Sequence, residues 1–451
     1  MVLFLPFLLG TLVVVLSHES YATTFFVLAA TLAGLGFLPG SPGLNTVYVV
    51  FLMLAYVVAN LSFRLVGAGD VRLKGLPIPF GSLFLVLAVA LLVSTLVAGA
   101  RGLLNVGLIT GVVTFLLSGL AVWYLAGCFS DEGRLVKVIY SVILIVTVAS
   151  VVWLPAAYGA IGKRMTMPFQ SVAVGLNEVG GSLAMLAVLA MGLLVLEEKP
   201  ARRVALGIAF LVLVLGLILT KSRGAWVGAI AGLAYILIRA RRTKILLFFL
   251  VAIPLVVALL EPIKATFVAR LTQTEAGDPA WLGRVFMWQT ALRIIPKNLL
   301  FGIGLHNFGV VKYDYGFPRF LDPLDVSFSY RPNQVLFGHT HNLYVELLMG
   351  IGVIGFAAFL LIILLTVVNL NRIAGTDRET KLKGPALGLA ALLIAYMTHS
   401  FFDYLLWIVY SLVVFATFLG LSLVVVKLDQ EGSRAWVDRS TSAVTRSQTL
   451  R

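Results

Sequence analysis

Cysteine is nearly absent: Cys128 stands alone in 451 residues, which excludes a disulfide framework and any Cys-based metal site. Charge is scarce too, at 12% of residues against 60% hydrophobic, and the mean hydropathy is +1.02. No soluble domain of this length hides so much apolar surface, so the chain reads as an all-α polytopic membrane protein. The alternation of a β-barrel is missing, because the apolar runs are continuous over ~16–25 residues. The first run, from Val2 to Leu16, lacks basic residues before it and a small-residue cleavage site after it. It reads as a retained span rather than a signal peptide.

What is present is a series of apolar segments, about 12–13 of them by length and composition. They lie near 2–16, 21–38, 44–63, 80–99, 103–127, 136–156, 180–196, 203–220, 224–239, 244–260, 341–370, 385–402 and 404–427. No internal repeat is visible. The expected organisation is an N-terminal bundle over 1–260, one large loop over 261–340, C-terminal spans over 341–427 and a polar tail over 428–451. That tail is rich in Ser and Thr and is expected to be disordered.

The 34 Lys and Arg against 20 Asp and Glu orient these spans. Short basic connections occur at Arg64/Arg72/Lys74, Arg134/Lys137, Lys199/Arg202/Arg203, Arg239/Arg241/Arg242/Lys244 and Arg372/Arg378/Lys381/Lys383. With 13 spans all fall on one side, which the positive-inside rule makes cytoplasmic. The 261–340 loop then faces outward, and the tail is cytoplasmic. The expected location is the cytoplasmic membrane, with membrane lipids as surroundings and no nucleic acid as partner.

Left on the outer side are Lys163 and Arg164, Lys221 and Arg223, Arg284 in the loop, the His339/His341 pair, and His399 with Asp403. Basic residues kept on the disfavoured side point to an anionic ligand there; snorkelling to the interface is the bland alternative. Thr220-Lys221-Ser222-Arg223-Gly224 joins two spans with almost no loop, and arginine suits a bidentate grip on phosphate. Gly283-Arg284 precedes a helix-like aromatic run, where Arg284 could equally pair with a loop carboxylate such as Asp278. Lys163/Arg164 lie in a stretch, with Asn177-Glu178 beyond it, that is too polar for a full span and could wall a site.

His339 and His341 are two of only five histidines, placed where the polar loop meets a long apolar helix. A helix N-terminus favours pyrophosphate, and nearby arginines would keep an imidazole neutral and able to accept a proton. His341 is therefore a candidate general base, or simply a polar cap; His339 is a second contact or an exposed loop residue. Tyr344 and Glu346 follow on the same helix, and Glu346 could orient an imidazole or only pack. His399 and Asp403, four apart, would share a helical face. Gly352-x-x-Gly355 permits close helix packing.

Taken together, His341-Asn342, nine residues, then Gly352-x-x-Gly355, with the Ser222-Arg223-Gly224 turn and Gly283-Arg284, resemble the O-antigen ligase and O-antigen polymerase superfamily. The resemblance implies a membrane-embedded C-type glycosyltransferase. Such an enzyme moves a glycan from undecaprenyl-pyrophosphate to an acceptor hydroxyl, of lipid A-core or a similar molecule, at the outer face. It implies pyrophosphate binding by Arg223 and Arg284 and proton abstraction by His341, with Lys221, His339, Lys163, Arg164, Tyr344 and Glu346 in support. The reaction is inverting and needs no nucleotide, cofactor or metal. The sequence agrees in having no Asp-x-Asp motif, no Gly-rich phosphate loop and no clustered outer carboxylates.

Within the superfamily, ligase and polymerase differ only in acceptor, and a protein O-oligosaccharyltransferase is a further variant. A secondary anion transporter would instead use His341 as proton carrier. It should place its charges near the midplane on two related halves, and no such halves are visible.

Overall fold

A computed structural model describes residues 19–34, 50–59, 79–159, 176–241, 279–318 and 338–449, with a few isolated positions besides. All regular structure among these residues is helical. The long helices are α1 (Glu19–Gly34), α2 (Val50–Ala59), α3 (Phe80–Ala100), α4 (Val106–Cys128), α5 (Glu132–Gly159), α6 (Leu176–Leu196) and α7 (Pro200–Leu219). They continue as α8 (Arg223–Ala240), α9 (Pro279–Ile294), the short α10 (Phe308–Val311), α11 (Leu343–Ala374), α12 (Lys383–His399) and α13 (Val409–Thr449). Among the described residues, eight helices are long and apolar enough to cross a membrane. The chain is an all-α, multi-pass membrane protein. The expected spans at 2–16 and most of 244–260, and Lys163 with Arg164, lie outside the described residues.

The apolar window of α6 is 94% buried, and α12 and α8 pack against it and against each other through glycines. A Cβ on Gly192 would run into the backbone of Gly388, and one on Gly228 into the carbonyl oxygen of Ala395. A Cβ on Gly232 would come to 2.9 Å from the Ala391 oxygen. Hydrocarbon supplies no hydrophobic drive between spans, so close backbone approach over small residues is how such helices bind each other. The close fit brings the start of α6, the start of α8 and the end of α12 to one end of the bundle.

The opposite end collects the basic connections. Arg239 donates to the Asn371 carbonyl at 3.1 Å, Glu132 accepts from Thr380 at 3.0 Å, and Arg372 and Arg378 both pair with Asp429. These contacts also bear on the tail expected to be disordered. Helix α13 continues through it to Thr449. No proline interrupts this stretch, and the Asp429 pairs tie its first turn to the α11–α12 connection.

Within the 261–340 segment, residues 279–318 form a small folded cap. Met287, Ala291, Ile294, Ile303, Phe308, Val311 and Phe317 make a core of their own, which Met349 of α11 completes. The cap docks by main-chain hydrogen bonds onto a break in α11. Ile303 and Gly304 donate to the carbonyls of Met349 and Gly350 at 2.9 and 3.0 Å, and Val353 donates to Leu299 at 2.8 Å. Gly352 makes the break, with φ 70° and ψ 177°, a region that side chains rarely enter. The Gly352-x-x-Gly355 spacing therefore has two uses: Gly352 admits the cap backbone, and only Gly355 serves helix packing, against Ala90.

Candidate functional site

His341 sits one residue before the N-cap of α11. Asn342 caps the helix, its side-chain oxygen accepting from the N–H groups of Tyr344 and Val345 at 3.0 and 3.1 Å. Its amide donates to the Phe401 carbonyl at 3.1 Å. The helix N-terminus expected to receive pyrophosphate thus has two of its N–H groups already taken by its own cap. His341 is held at φ 50°, a left-handed conformation that costs a non-glycine residue on the order of 1–3 kcal/mol. Several bonds hold that geometry in place. The His341 N–H donates to His339 Nδ1 at 3.2 Å. The Thr340 N–H donates to Glu346 at 2.8 Å, and the Thr340 carbonyl accepts from Trp288 Nε1 of the cap at 2.9 Å.

The partner of the His341 ring is Asp403. His341 Nδ1 lies 2.8 Å from Asp403 Oδ1, and that oxygen also accepts from the Tyr404 N–H at 2.8 Å. Asn177 of α6 donates to Asp403 Oδ2, and Ser222, the N-cap of α8, donates to Asn177 Oδ1 at 2.8 Å. A chain of side chains thus runs Ser222–Asn177–Asp403–His341 across the ends of four elements. The sequence suggested a shared helical face for His399 and Asp403, but α12 ends at His399 and the chain turns away. Asp403 leaves that axis and meets His341 instead, while neither ring nitrogen of His399 has a hydrogen-bond partner among the described residues.

The electrostatics follow from this geometry. Burial alone would raise the Asp403 carboxyl, but His341, by charge and by hydrogen bond, with His339 and His399 beyond it, holds it well below the usual carboxylate range. An ionised Asp403 can only accept, so the proton of the His341–Asp403 contact sits on Nδ1, and Nε2 is the ring nitrogen turned away from the carboxylate. The His341 side chain is 30% exposed while that of Asp403 is 6%, so the ring faces outward and the carboxylate backs it. Burial and then the neighbouring His341 push His339 well below an ordinary histidine, with His306 and Arg284 adding to this against the pull of Asp403. His306, which the sequence did not single out, is pushed down by burial to about 4. It bonds the Tyr404 hydroxyl at 3.3 Å.

The remaining expected residues divide by position. Arg284 is on α9, one turn before Trp288, close enough to act on His339, and its buried Nε has no hydrogen-bond partner among the described residues. Its suggested partner, Asp278, lies outside the described residues. Arg223 opens α8 directly after the Ser222 cap, which places it beside the Asn177–Asp403 link. Lys221 precedes that cap with φ 57°. Tyr344 donates to the Met397 carbonyl at 2.8 Å, and Glu346 binds the Thr340 N–H, so both brace the His341 segment. His339, His341 and Asp403 each bring one potential ligand atom within 4.8 Å of the others.

Asp403 and Asn177 were visible in the sequence as outer polar residues, but nothing in it tied them to His341. Trp288 was visible only as an aromatic position.

Residues 208–360 match the family described as O-Antigen ligase. That stretch carries Arg223, Arg284, His339 and His341, and it bears out the resemblance to the O-antigen ligase superfamily read from the motifs. No curated protein matches the chain at a significant level.

Proposed function

We propose that this protein transfers a glycan from a prenyl pyrophosphate carrier to an acceptor hydroxyl, with chemistry at the His341 end of the bundle. The observation that carries the reading is the His341–Asp403 pair, 2.8 Å apart, whose histidine lies in the 208–360 stretch that matches the O-antigen ligase family. By the positive-inside argument that end is the outer face of the cytoplasmic membrane.

The acceptor O–H approaches the exposed edge of His341. Nε2 takes its proton as the oxygen attacks the anomeric carbon from the face opposite the leaving group. The new C–O bond forms as the bond from the anomeric carbon to the pyrophosphate oxygen breaks, and the electron pair leaves with the pyrophosphate. The configuration inverts. Asp403 fixes the tautomer and stabilises the imidazolium that forms, as carboxylates do behind catalytic histidines. Arg223 and Arg284 offset the charge that grows on the leaving group. A transition state with positive charge beside His341 and negative charge beside the arginines needs both held rigidly, and the Ser222–Asn177–Asp403 chain and the Trp288 clamp do this.

The test is transfer by purified protein in lipid nanodiscs, given an undecaprenyl-pyrophosphate-linked glycan and a lipid A-core acceptor, without nucleotide and with a chelator present. Transfer that His341→Ala abolishes is the expected result. Transfer unchanged in His341→Ala rejects the assignment of the base, and transfer that the chelator stops gives the His339/His341/Asp403 cluster to a metal instead.

A further inference from the structure

Immediately before Asp403 the chain presents two phenylalanine rings outward. Phe401 is 53% exposed and Phe402 is 42% exposed. The turn carrying them is firmly built. Ser400, Phe401 and Phe402 donate to the carbonyls of Tyr396, Thr398 and His399 at 2.9, 3.3 and 2.8 Å, and Asn342 holds the Phe401 carbonyl. An aromatic pair that only anchored the bundle at the interface would favour Tyr or Trp, whose polar tips reach the headgroups. Phenylalanine has no such tip.

The surroundings indicate what covers these rings. On one side Phe401 lies against Tyr344, ring centroids 4.3 Å apart, in the first turn of α11 next to His341. On the other, α8 approaches so closely that a Cβ on Gly224 would come to 2.9 Å from Phe402 Cβ, and Gly224 directly follows Arg223. An apolar shelf therefore adjoins a basic helix start on one edge and the His341–Asp403 pair on the other. That juxtaposition of apolar, basic and reacting groups suits an amphiphile with a polyanionic head.

We propose that Phe401 and Phe402 bind isoprene units of the lipid carrier beyond its first two and so make the protein selective for a long prenyl chain. The proposal deepens the transfer reading and rests on it for the identity of the headgroup. The rings are positioning residues: they hold the donor so that its pyrophosphate meets Arg223 and its anomeric carbon meets His341.

The test compares a C55 with a C10 prenyl pyrophosphate, first as glycan-free ligands in direct binding and then as glycan donors. In the double variant Phe401→Ala/Phe402→Ala the C55 compound is expected to bind about 10-fold more weakly, as loss of aromatic burial requires. The C10 compound should bind nearly as before, and transfer should show a raised KM with an unchanged kcat. Phe401→Leu/Phe402→Leu should restore most of the difference. Equal loss for both chain lengths, or no loss for either, overturns the shelf.

So does a chain-length preference that follows Gly119→Leu instead of the phenylalanine pair. That substitution fills an apolar cleft of about 370 Å³ between α3, α4, α11 and α13. Binding without a transfer assay keeps the two readings apart. Chain-length-dependent binding lost in the Phe variant supports the shelf even where no glycan moves, a result that would reject only the transfer reading.

Discussion

Asp403 stands 62 residues beyond His341 in sequence and 2.8 Å from it in space. The carboxylate is itself held by the Tyr404 N–H and by Asn177, which fixes the acceptor that faces His341 Nδ1. This pair is the geometric basis for assigning His341 a proton-accepting role.

Asp403→Asn keeps the shape of the side chain but can present an amide N–H to Nδ1 and favour the wrong tautomer. Transfer should fall by about 10²–10⁴-fold in kcat, while donor binding stays near the wild-type value. Asn177→Leu should have a milder effect with a distinct signature. It removes one donor from the Asp403 carboxylate, whose affinity for a proton then rises, so the acid limb of the pH–rate profile moves to higher pH. A profile unchanged in Asn177→Leu would separate that residue from the chemistry.

Arg284 brings a guanidinium with a buried Nε to the side of His339. Arg284→Ala and Arg223→Ala should each lower turnover by about 10²–10³-fold. The lysine replacements should recover only part of it, because a point charge lacks the planar fork. Steady-state rates on a lipid-linked donor decide the matter, and full activity in Arg284→Ala would remove that residue from the site.

Gly352 holds φ 70° where α11 opens to accept the cap backbone. In Gly352→Ala the new methyl would run into the Leu300 carbonyl, adding to a backbone strain of about 1–3 kcal/mol. The expected outcome is a lower unfolding temperature and faster proteolysis within 279–318. Gly119→Ala, on an open helix face, should leave both unchanged.

His306 ties acid stability to the site. Its folded value is pushed down by burial to about 4, against roughly 6.5 for an unperturbed histidine. As pH falls below that higher value the unfolded chain takes up the proton first, so stability is lost progressively between about pH 6.5 and 4. Asn tolerates positive φ, which suits the 64° at this position. His306→Asn should therefore flatten the dependence of unfolding temperature on pH between 7 and 5. Some slope should remain, since His339 is depressed in the same direction. An identical slope in the variant would show that His306 is not held neutral by the fold.

Much of the architecture was legible from one dimension, because a membrane span must satisfy its backbone hydrogen bonds within itself. Apolar length alone therefore located helices such as α3, α4 and α6, and the basic connections foretold the end where Arg239, Arg372 and Arg378 gather. The histidine pair, Arg223 and Arg284 also stood out, since charge is costly beside so much hydrocarbon. Local pattern stopped short where the chain departs from helical periodicity. Gly352 looked like a packing residue because a positive φ leaves no trace in composition, and His399 with Asp403 looked like a helical pair because the end of α12 is set by tertiary contacts.

By itself, then, the sequence determined the class of the protein, its helical spans and the charged residues worth placing at a site, all properties carried by short stretches of chain. Only the tertiary structure decided that Asp403 serves His341, that Asn177 and Ser222 brace it, and that Trp288 clamps the segment from the cap. Those partners come from separate helices, and glycine-mediated packing of α6, α8 and α12 draws them together through backbone approach that no spacing along the chain records.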